Sequence, residues 1–310
     1  MSADPAWLVP VLLTIVGAST PLLLAATGEL VTEKAGVLNL GVEGMMLVGA
    51  IVGFAATAAS GSHLLGLGAA AVGGMAMALI FAVLTLTFLA NQVATGLALT
   101  IFGTGLSALL GAGFVGFALP PLPKLAMPVL SEIPLLGPVL FQHDALVYLS
   151  FLILGAVAWF LKKSRSGLIL CAVGESHEAA HSLGYSVIGL RYAATLFGGA
   201  MCGLAGAFMS LSYTTMWAEN MTAGRGWIAL ALVVFATWRP WRLLLGAYLF
   251  GGITILQLHA QGAGVALPSQ LLSVLPYLAT ILVLVLISRD RTRIRLNAPA
   301  SLGKQFHPAA

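Results

Sequence analysis

Hydrophobic and polar positions in this chain alternate on the scale of whole segments rather than of single residues. No charged residue occurs between Glu43 and Lys124, and further uncharged runs cover Pro5–Gly28, Ala145–Leu161, Tyr192–Ala218 and Leu243–Ser288. One helical crossing of a bilayer takes about 20 apolar residues, so the chain is predicted to cross a membrane many times. Because a bilayer offers backbone groups no water, and because these runs are longer than barrel strands, the predicted fold class is an all-α polytopic membrane protein.

Nine transmembrane helices are predicted from these runs, with one more or one fewer as alternatives. They are placed at Trp7–Ala26, Gly44–Ser60, Leu64–Leu89, Gln92–Leu119, Ala145–Leu161, Tyr192–Leu211, Ala223–Trp238, Leu243–Leu258 and Leu271–Ser288. Residues 1–310 are expected to form a single transmembrane domain. The first run lacks a basic region before it and shows no clear cleavage signal, which favours a retained helix over a cleaved leader.

Basic residues predict the orientation of the chain. They cluster at 162–165, at Arg191, at the WRPWR turn and at 289–295, and the positive-inside rule assigns all of these to the cytoplasm. The C-terminus is then cytoplasmic and the N-terminus outside. This topology defines a proline-rich extracytoplasmic loop at 119–144, a cytoplasmic loop at 162–191 and a basic cytoplasmic tail at 289–310. The net charge of +4 follows from it and gives no case for binding nucleic acid.

Composition supports the membrane assignment. Charged residues make up 8% of the 310 residues, whereas a soluble domain carries about 25%. Tryptophans such as Trp159, Trp217, Trp238 and Trp241 fall near predicted helix ends, where indoles anchor at the membrane interface. The glycines at 199, 203 and 206 are spaced for close packing between helices.

The cytoplasmic loop contains ESHEAAHSLG, in which His177, Glu178 and His181 have the spacing H-E-x-x-H. On a helix, this spacing presents two zinc-binding imidazoles and a glutamate base, as in zinc proteases. The third protein ligand that such a site needs has no recognisable motif here, although Glu175 and Asp290 remain possible. We therefore predict no metal site and no catalytic residue, with an intramembrane zinc protease as a remote alternative.

A second pattern, E-A-A-x-x-x-G, overlaps the first. In permeases of ATP-binding-cassette (ABC) importers this pattern marks the cytoplasmic coupling helix that docks on the ATPase. The later Ile-x-Leu-Pro part of the longer permease motif is absent. The predicted coupling residues are Glu175, Glu178, Ala179, Ala180 and Gly184.

A longer resemblance comes from GELVTEKAGVLNLGVEGMMLVGA, Gly28–Ala50. It resembles the signature of the ABC permease family that includes branched-chain amino acid and simple-sugar importers, in particular the nucleoside branch. Further matches are NQVATGLAL, GLAGAFMSL, GRGWIALALVVFATWRP and PASLGK. The resemblance implies a multi-pass permease of the bacterial plasma (inner) membrane that translocates nucleosides or related purine or pyrimidine compounds. Simple sugars and riboflavin-like compounds are the alternative cargo.

The resemblance also implies partners: a second, similar permease subunit, two cytoplasmic ATP-binding subunits and an extracytoplasmic substrate-binding lipoprotein. The chain itself has no G-x-x-x-x-G-K-[ST] loop for ATP phosphates, so ATP hydrolysis is assigned to a partner chain. We expect a permease subunit rather than an enzyme, with no cofactor. An ion-coupled secondary transporter that uses Glu43 is a less favoured alternative.

Polar residues within predicted membrane segments give the candidates for a substrate path, because such groups are costly there and commonly functional. The first group surrounds Asn39 and Glu43, where glycines at 36, 41 and 44 predict a broken helix or, equally, a cytoplasmic turn. A second break surrounds Arg225, which is flanked by glycines and could instead pair with Glu219. Two such breaks suggest a central site between inverted repeats.

Asn91 and Gln92 complete the set of candidates. They begin the predicted fourth helix, where their side chains could bind a nucleobase or sugar or could cap the helix. The predicted substrate-path residues are Asn39, Glu43, Asn91, Gln92 and Arg225.

Overall fold

The computed structural model of the chain describes residues 8–126, 136–262 and 297–307, together with residues 274–275, 278, 281–282 and 285. Eleven α-helices and two short strands occupy the three continuous ranges. In chain order they are α1 Leu8–Lys34, α2 Val42–Ser60, α3 His63–Ala82, α4 Gln92–Gly111, β1 Lys124–Ala126, α5 Leu136–Phe141, β2 Gln142–Asp144, α6 Ala145–Lys163, α7 Arg165–Glu175, α8 His177–Ser182, α9 Val187–Phe208, α10 Arg225–Phe235 and α11 Pro240–Gly262.

Seven helices of the described residues are long and apolar enough to cross a membrane. They are α1, α2, α3 with its π-helical extension to Thr87, α4 with its 3₁₀ turn to Phe114, α6, α9 with its π-helical extension to Tyr213, and α11. This confirms the all-α polytopic class. The predicted helix Ala223–Trp238 is the 11-residue α10, which at ~1.5 Å per residue covers about half of a ~30 Å hydrocarbon core. The predicted helix Leu271–Ser288 lies largely outside the described residues.

Three predicted boundaries are wrong, two of them for a common reason. Helix α1 continues eight residues beyond Ala26, to Lys34, and α9 begins at Val187 rather than Tyr192. Both extensions contain charged residues, which the sequence pattern treats as helix ends, yet Glu29, Glu33 and Arg191 are buried. Their partners are distant in the chain. Helix α4 ends earlier than predicted, and the segment after Phe114 turns away.

Helices α2 and α9 form the centre of the molecule and pack against α1 and α3. A Cβ added at Gly203 would overlap the backbone of α3, and one added at Gly206 would overlap that of α2. Gly199 makes a similar approach to Gly74. The predicted close packing at these three glycines is confirmed, and it lets α9 lie directly against two neighbours.

The predicted loop 119–144 contains the only sheet of the described residues. Strand β1 pairs antiparallel with β2, and Leu119 N–H donates to Thr215 O at 2.9 Å. Trp217 is buried against Gly111 rather than anchored at an interface. The start of this loop, residues 119–122, is therefore hydrogen-bonded to the π-helical extension of α9 and to Thr215 just beyond it.

Candidate functional sites: a helix junction and a docking helix

The two predicted breaks meet at Glu43. This residue lies in the first turn of α2 and is buried. Its Oε1 accepts hydrogen bonds from Thr222 Oγ1 at 2.6 Å and from Gly224 N–H at 2.8 Å. Its Oε2 accepts from Gly226 N–H at 2.6 Å. The carboxylate thus accepts hydrogen bonds from amides that lack a partner at the N-terminus of α10, where the helix dipole favours negative charge. We call Glu43 and residues 222–226 the helix junction.

The backbone before α10 is built for this contact. Ala223 and Gly224 have φ values of 47° and 83°, which turn the chain so that its amides point at Glu43. A left-handed conformation at a non-glycine residue costs roughly 1–3 kcal/mol and persists only where the surroundings fix it. A Cβ at Gly226 would lie 2.6 Å from Glu43 Cα, so only glycine allows α10 to approach α2 this closely.

The other end of α10 is held by a second carboxylate. Trp238, just beyond the helix, donates from Nε1 to Glu33 Oε2 at 2.5 Å, and both side chains are buried. Thr237 and Trp238 have φ values of 49° and 52°, so α10 also ends on left-handed residues. Trp238 is therefore a buried hydrogen-bond donor rather than the predicted interface anchor. Helix α10 is therefore held at its start by Glu43 of α2 and just beyond its end by Glu33 of α1.

The backbone break between α1 and α2 is held by side chains. Asn39 N–H donates to Glu29 Oε1 at 3.2 Å and Leu38 N–H to Gln92 Oε1 at 2.8 Å. Asn39 Oδ1 accepts from Gly41 N–H at 2.9 Å. Two buried atoms at this site, Glu29 Oε2 and Gln92 Nε2, have no hydrogen-bond partner among the described residues. The side-chain oxygens of Glu29, Asn39 and Gln92 at the break thus bind backbone N–H groups of the protein itself.

The five predicted substrate-path residues separate into two groups. Asn39, Glu43 and Gln92 expose at most 4% of their surface and bind the protein's own backbone. Asn91 is exposed and caps α4, accepting from Ala94 N–H at 3.0 Å.

Arg225 is half-buried at the start of α10. Its Nη1 donates to Thr222 O at 3.2 Å and its guanidinium lies 5.7 Å from the centroid of the Tyr213 ring. These contacts, rather than an ion pair with Glu219, hold it in the described part of the chain. Arg225 therefore stands beside the junction carboxylate without pairing with it.

The predicted coupling residues lie on α8, which connects α7 to α9. Ser176 caps the helix by accepting from Ala179 N–H at 3.2 Å. Gly184 ends it with φ 85°, and Tyr185 N–H donates back to Ala180 O at 3.1 Å. A glycine is the residue that takes this conformation without strain, which explains its place in E-A-A-x-x-x-G. We call α8 the docking helix.

The docking helix has one buried and one exposed face. Ala180 is buried among Val173, Val187 and Phe306. Glu175, Glu178, Ala179 and Gly184 are exposed, and so is Leu183 with 75% of its surface accessible. The exposed side therefore combines acidic groups with a large apolar residue.

The histidines of H-E-x-x-H flank an aromatic ring. The centroid of Phe306 lies 5.3 Å from that of His177 and 5.2 Å from that of His181, both edge to face. Within the described residues no three His, Cys, Asp or Glu side chains form a group that could hold a metal ion. Burial and the nearby Arg191 guanidinium lower the pKa of His177 below its ordinary value of 6.5. The pair therefore packs around the C-terminal segment.

Arg191 was not among the predicted site residues, although it organises this end of the molecule. It exposes 1% of its surface. Its Nε donates to Ala35 O at 3.1 Å and its Nη1 to Lys304 O at 3.0 Å. Its Nη2 lies 3.4 Å from His177 Nδ1. The sequence identifies Arg191 only as a basic residue of the predicted cytoplasmic loop. The carbonyl groups that it binds are more than 100 residues away, so no local pattern predicts these contacts.

The fold and these two sites define a class: a multi-pass helical membrane protein with a short helix, α10, held at both ends and a short, largely exposed helix, α8, between two spans. Residues 11–286 match the family described as the permease component of the branched-chain amino acid transport system. The chain belongs to this permease family.

Relatives over nearly the full length refine the comparison. A Haloferax volcanii protein provisionally named a glucose ABC transporter permease is 43% identical over 94% of this chain and 95% of its own length. A nucleoside ABC transporter permease of Lactococcus lactis is 32% identical over 86% of this chain and 89% of its own. A guanosine ABC transporter permease of Bacillus subtilis is 30% identical over 86% and 88%. No solved structure gives a significant match.

Proposed function

We propose that this ABC permease carries a nucleoside across the plasma membrane, driven by ATP hydrolysis on a separate subunit that docks at α8. The observation that carries the docking role is the exposed face of α8 with Leu183, on a capped helix whose other face is anchored by Ala180. The full assembly would contain a second permease subunit, two ATP-binding subunits and an extracytoplasmic lipoprotein.

The placement of the C-terminal segment supports the proposed orientation. Residues 297–307 lie against α7, α8 and α9, so the segment shares one end of the molecule with the loop 162–191. That loop carries the basic cluster that predicts a cytoplasmic location. His63 and Pro120 contact each other at 2.9 Å in the region predicted to lie outside. The ATPase would then meet α8 from the cytoplasm.

The helix junction is the proposed centre of the substrate path. Glu43 positions the start of α10, and Arg225, half-buried beside the junction carboxylate, is the residue that we propose meets a polar cargo. Asn39 and Gln92 would hold the neighbouring break between α1 and α2. Hydroxyl-bearing solutes suit such a site because a guanidinium offers several fixed hydrogen-bond donors.

A hexose is the second candidate cargo, and the 43% identity to a protein provisionally named a glucose permease favours it. The two relatives named for nucleosides or guanosine are 32% and 30% identical. Both cargo classes present ring hydroxyls, so the shared chemistry does not separate them. The distinguishing test is uptake by the full importer in proteoliposomes with radiolabelled guanosine and, in parallel, glucose. ATP-dependent guanosine uptake that excess glucose does not inhibit supports the nucleoside proposal, and the reverse result favours the hexose.

The docking role has its own test. Glu178→Lys places a positive charge on the exposed face of α8, and we expect it to abolish uptake and substrate-stimulated ATP hydrolysis while the subunit still inserts. Glu219→Lys is the matched control, since Glu219 is also exposed but precedes α10 rather than α8. Normal ATPase binding and transport by Glu178→Lys would overturn the assignment of α8.

A further inference from the structure

The C-terminal segment, residues 297–307, contacts four separate parts of the chain. Lys34 Nζ donates to Asn297 O at 2.7 Å, and Gly303 N–H donates to Gly36 O at 3.1 Å. Gln305 donates to Leu89 O, at the turn before α4. These contacts tie the end of the chain to both the α1–α2 break and the α3–α4 turn.

Ser301 fixes the same segment to α7. Its N–H donates to Gly174 O at 2.9 Å, and its hydroxyl lies 2.6 Å from the same oxygen and 3.1 Å from Val173 O. Ser301 is buried, and a Cβ at Gly36 would lie 2.7 Å from its Oγ. The end of α7 and the start of the break are thus packed on either side of one serine.

Phe306 carries these contacts to the docking helix. Its ring is buried with Ala180 and Val187 and is flanked by both histidines of α8. Arg191, at the start of α9, binds Lys304 O on one side and Ala35 O on the other. A contact path therefore runs from α8 through Phe306 and Arg191 to Ala35. From there the break leads through Asn39 to Glu43 and the helix junction.

We propose that the C-terminal segment is the joint that transmits movement of the docking helix to the α1–α2 break, with Arg191 and Phe306 as positioning residues. This inference rests on the proposed docking of an ATPase at α8. Displacement of α8 moves Phe306 and Arg191 with it, because their buried polar and aromatic contacts are lost if they stay behind. The carbonyl of Ala35 then moves with the guanidinium, and with it the backbone that leads to Glu43.

The test compares three variants and two control variants in the full importer, reconstituted in proteoliposomes and supplied with radiolabelled guanosine and, separately, glucose. Phe306→Ala removes the ring, and Arg191→Lys keeps the charge but loses the planar group that reaches two carbonyls at once. Leu183→Asp changes the exposed face of α8 without touching the joint. The readouts are retention of the ATPase subunits on purification and the amount of solute carried per ATP hydrolysed.

For Phe306→Ala and Arg191→Lys we expect the ATPase to remain bound and solute carried per ATP to fall about 2- to 30-fold, the range typical of altered coupling between sites. Phe306→Tyr, which keeps the ring, should retain most of the ratio, and Leu168→Ala, at an exposed residue of α7 outside the segment, should leave it unchanged. A wild-type ratio in both joint variants would overturn the proposal. So would release of the ATPase by Phe306→Ala, because the segment would then serve docking alone.

Leu183→Asp separates this proposal from the docking role on which it rests. Suppose that Leu183→Asp loses the ATPase while Phe306→Ala and Arg191→Lys carry the wild-type amount of solute per ATP. That result supports docking at α8 and contradicts the proposal that the C-terminal segment transmits movement. Retention of the ATPase with normal transport in Leu183→Asp contradicts docking at α8 itself.

Discussion

The helix junction and the C-terminal joint both use a buried charge to satisfy backbone groups that have no partner within a helix, but the two charges have opposite sign. At the junction, Glu43 accepts hydrogen bonds from Gly224 and Gly226, which are amides at the start of a helix. At the joint, Arg191 donates to the carbonyls of Ala35 and Lys304. A carboxylate is only an acceptor and a guanidinium only a donor, so each charge satisfies the backbone groups that irregular structure leaves unpaired.

The surroundings of the two sites differ. Both charges lie near the start of a spanning helix, Glu43 in α2 and Arg191 in α9, but Lys304, whose carbonyl Arg191 binds, is exposed. Water can replace lost hydrogen bonds at the joint more readily than at the junction. The two sites thus differ in the exposure of the segments that their charges bind, and not in their position relative to the spanning helices.

Removal of the junction carboxylate should have the largest effect. Glu43→Ala leaves two amides and the Thr222 hydroxyl buried without a partner, at about 1–3 kcal/mol for each unsatisfied group. We expect the free energy of unfolding to fall by about 3 kcal/mol or more, measured by thermal unfolding of the purified subunit in detergent. Glu219→Ala, at an exposed glutamate, is the control. Equal stability of the two variants would contradict the junction as described.

Removal of the joint cation should cost less. Arg191→Ala frees the carbonyls of Ala35 and Lys304, and carbonyl groups tolerate loss of a partner better than amides do. We expect a loss of about 1–3 kcal/mol in the same thermal measurement. A destabilisation larger than that of Glu43→Ala would show that the joint, rather than the junction, is the rigid region.

A smaller effect is expected at the end of the docking helix. Gly184→Ala places a side chain on φ 85° although nothing lies within 4 Å of the added Cβ, so the cost is conformational only, roughly 1–2 kcal/mol. Because the strain is local to α8, ATPase binding should weaken while cargo specificity stays unchanged. Titration of the ATPase subunit onto the permease measures this. Gly68→Ala is the control, since that glycine has equally open surroundings and no positive φ.

The smallest effect is a pH dependence of the joint. His177 faces Arg191, Glu178 and Lys304, and burial and Arg191 lower its pKa below the ordinary value of 6.5. The unfolded chain therefore binds this proton more readily, so the contribution of His177 to stability is present above pH 6.5 and is lost as pH falls through its folded-state pKa. Solute carried per ATP should decline on acidification, and His177→Gln should flatten that profile. An identical decline in the variant would assign it to another group.

Much of the fold could be predicted because membrane spans are encoded in local runs of apolar residues. Two of the errors fall where a charged residue continues a helix, as at Glu33 and Arg191, since burial of such residues depends on partners elsewhere in the chain. For the sites, the glycine breaks around Asn39 and Arg225 and the pattern at Glu178 were readable from sequence. The contact between the two breaks was not, because Glu43 and Gly224 are separated by 181 positions.

Hydrophobic run lengths and short capping patterns act locally, so they are enough to predict the membrane environment, the helical class and the capped helix α8 that we propose for docking. Only the tertiary structure decided what the buried charges bind. It placed Glu43 on the start of α10, Glu33 on Trp238, Arg191 on two carbonyls and Phe306 between the two histidines of α8. These pairings join distant segments, and they form because a polar group removed from water must find a partner wherever the fold brings one.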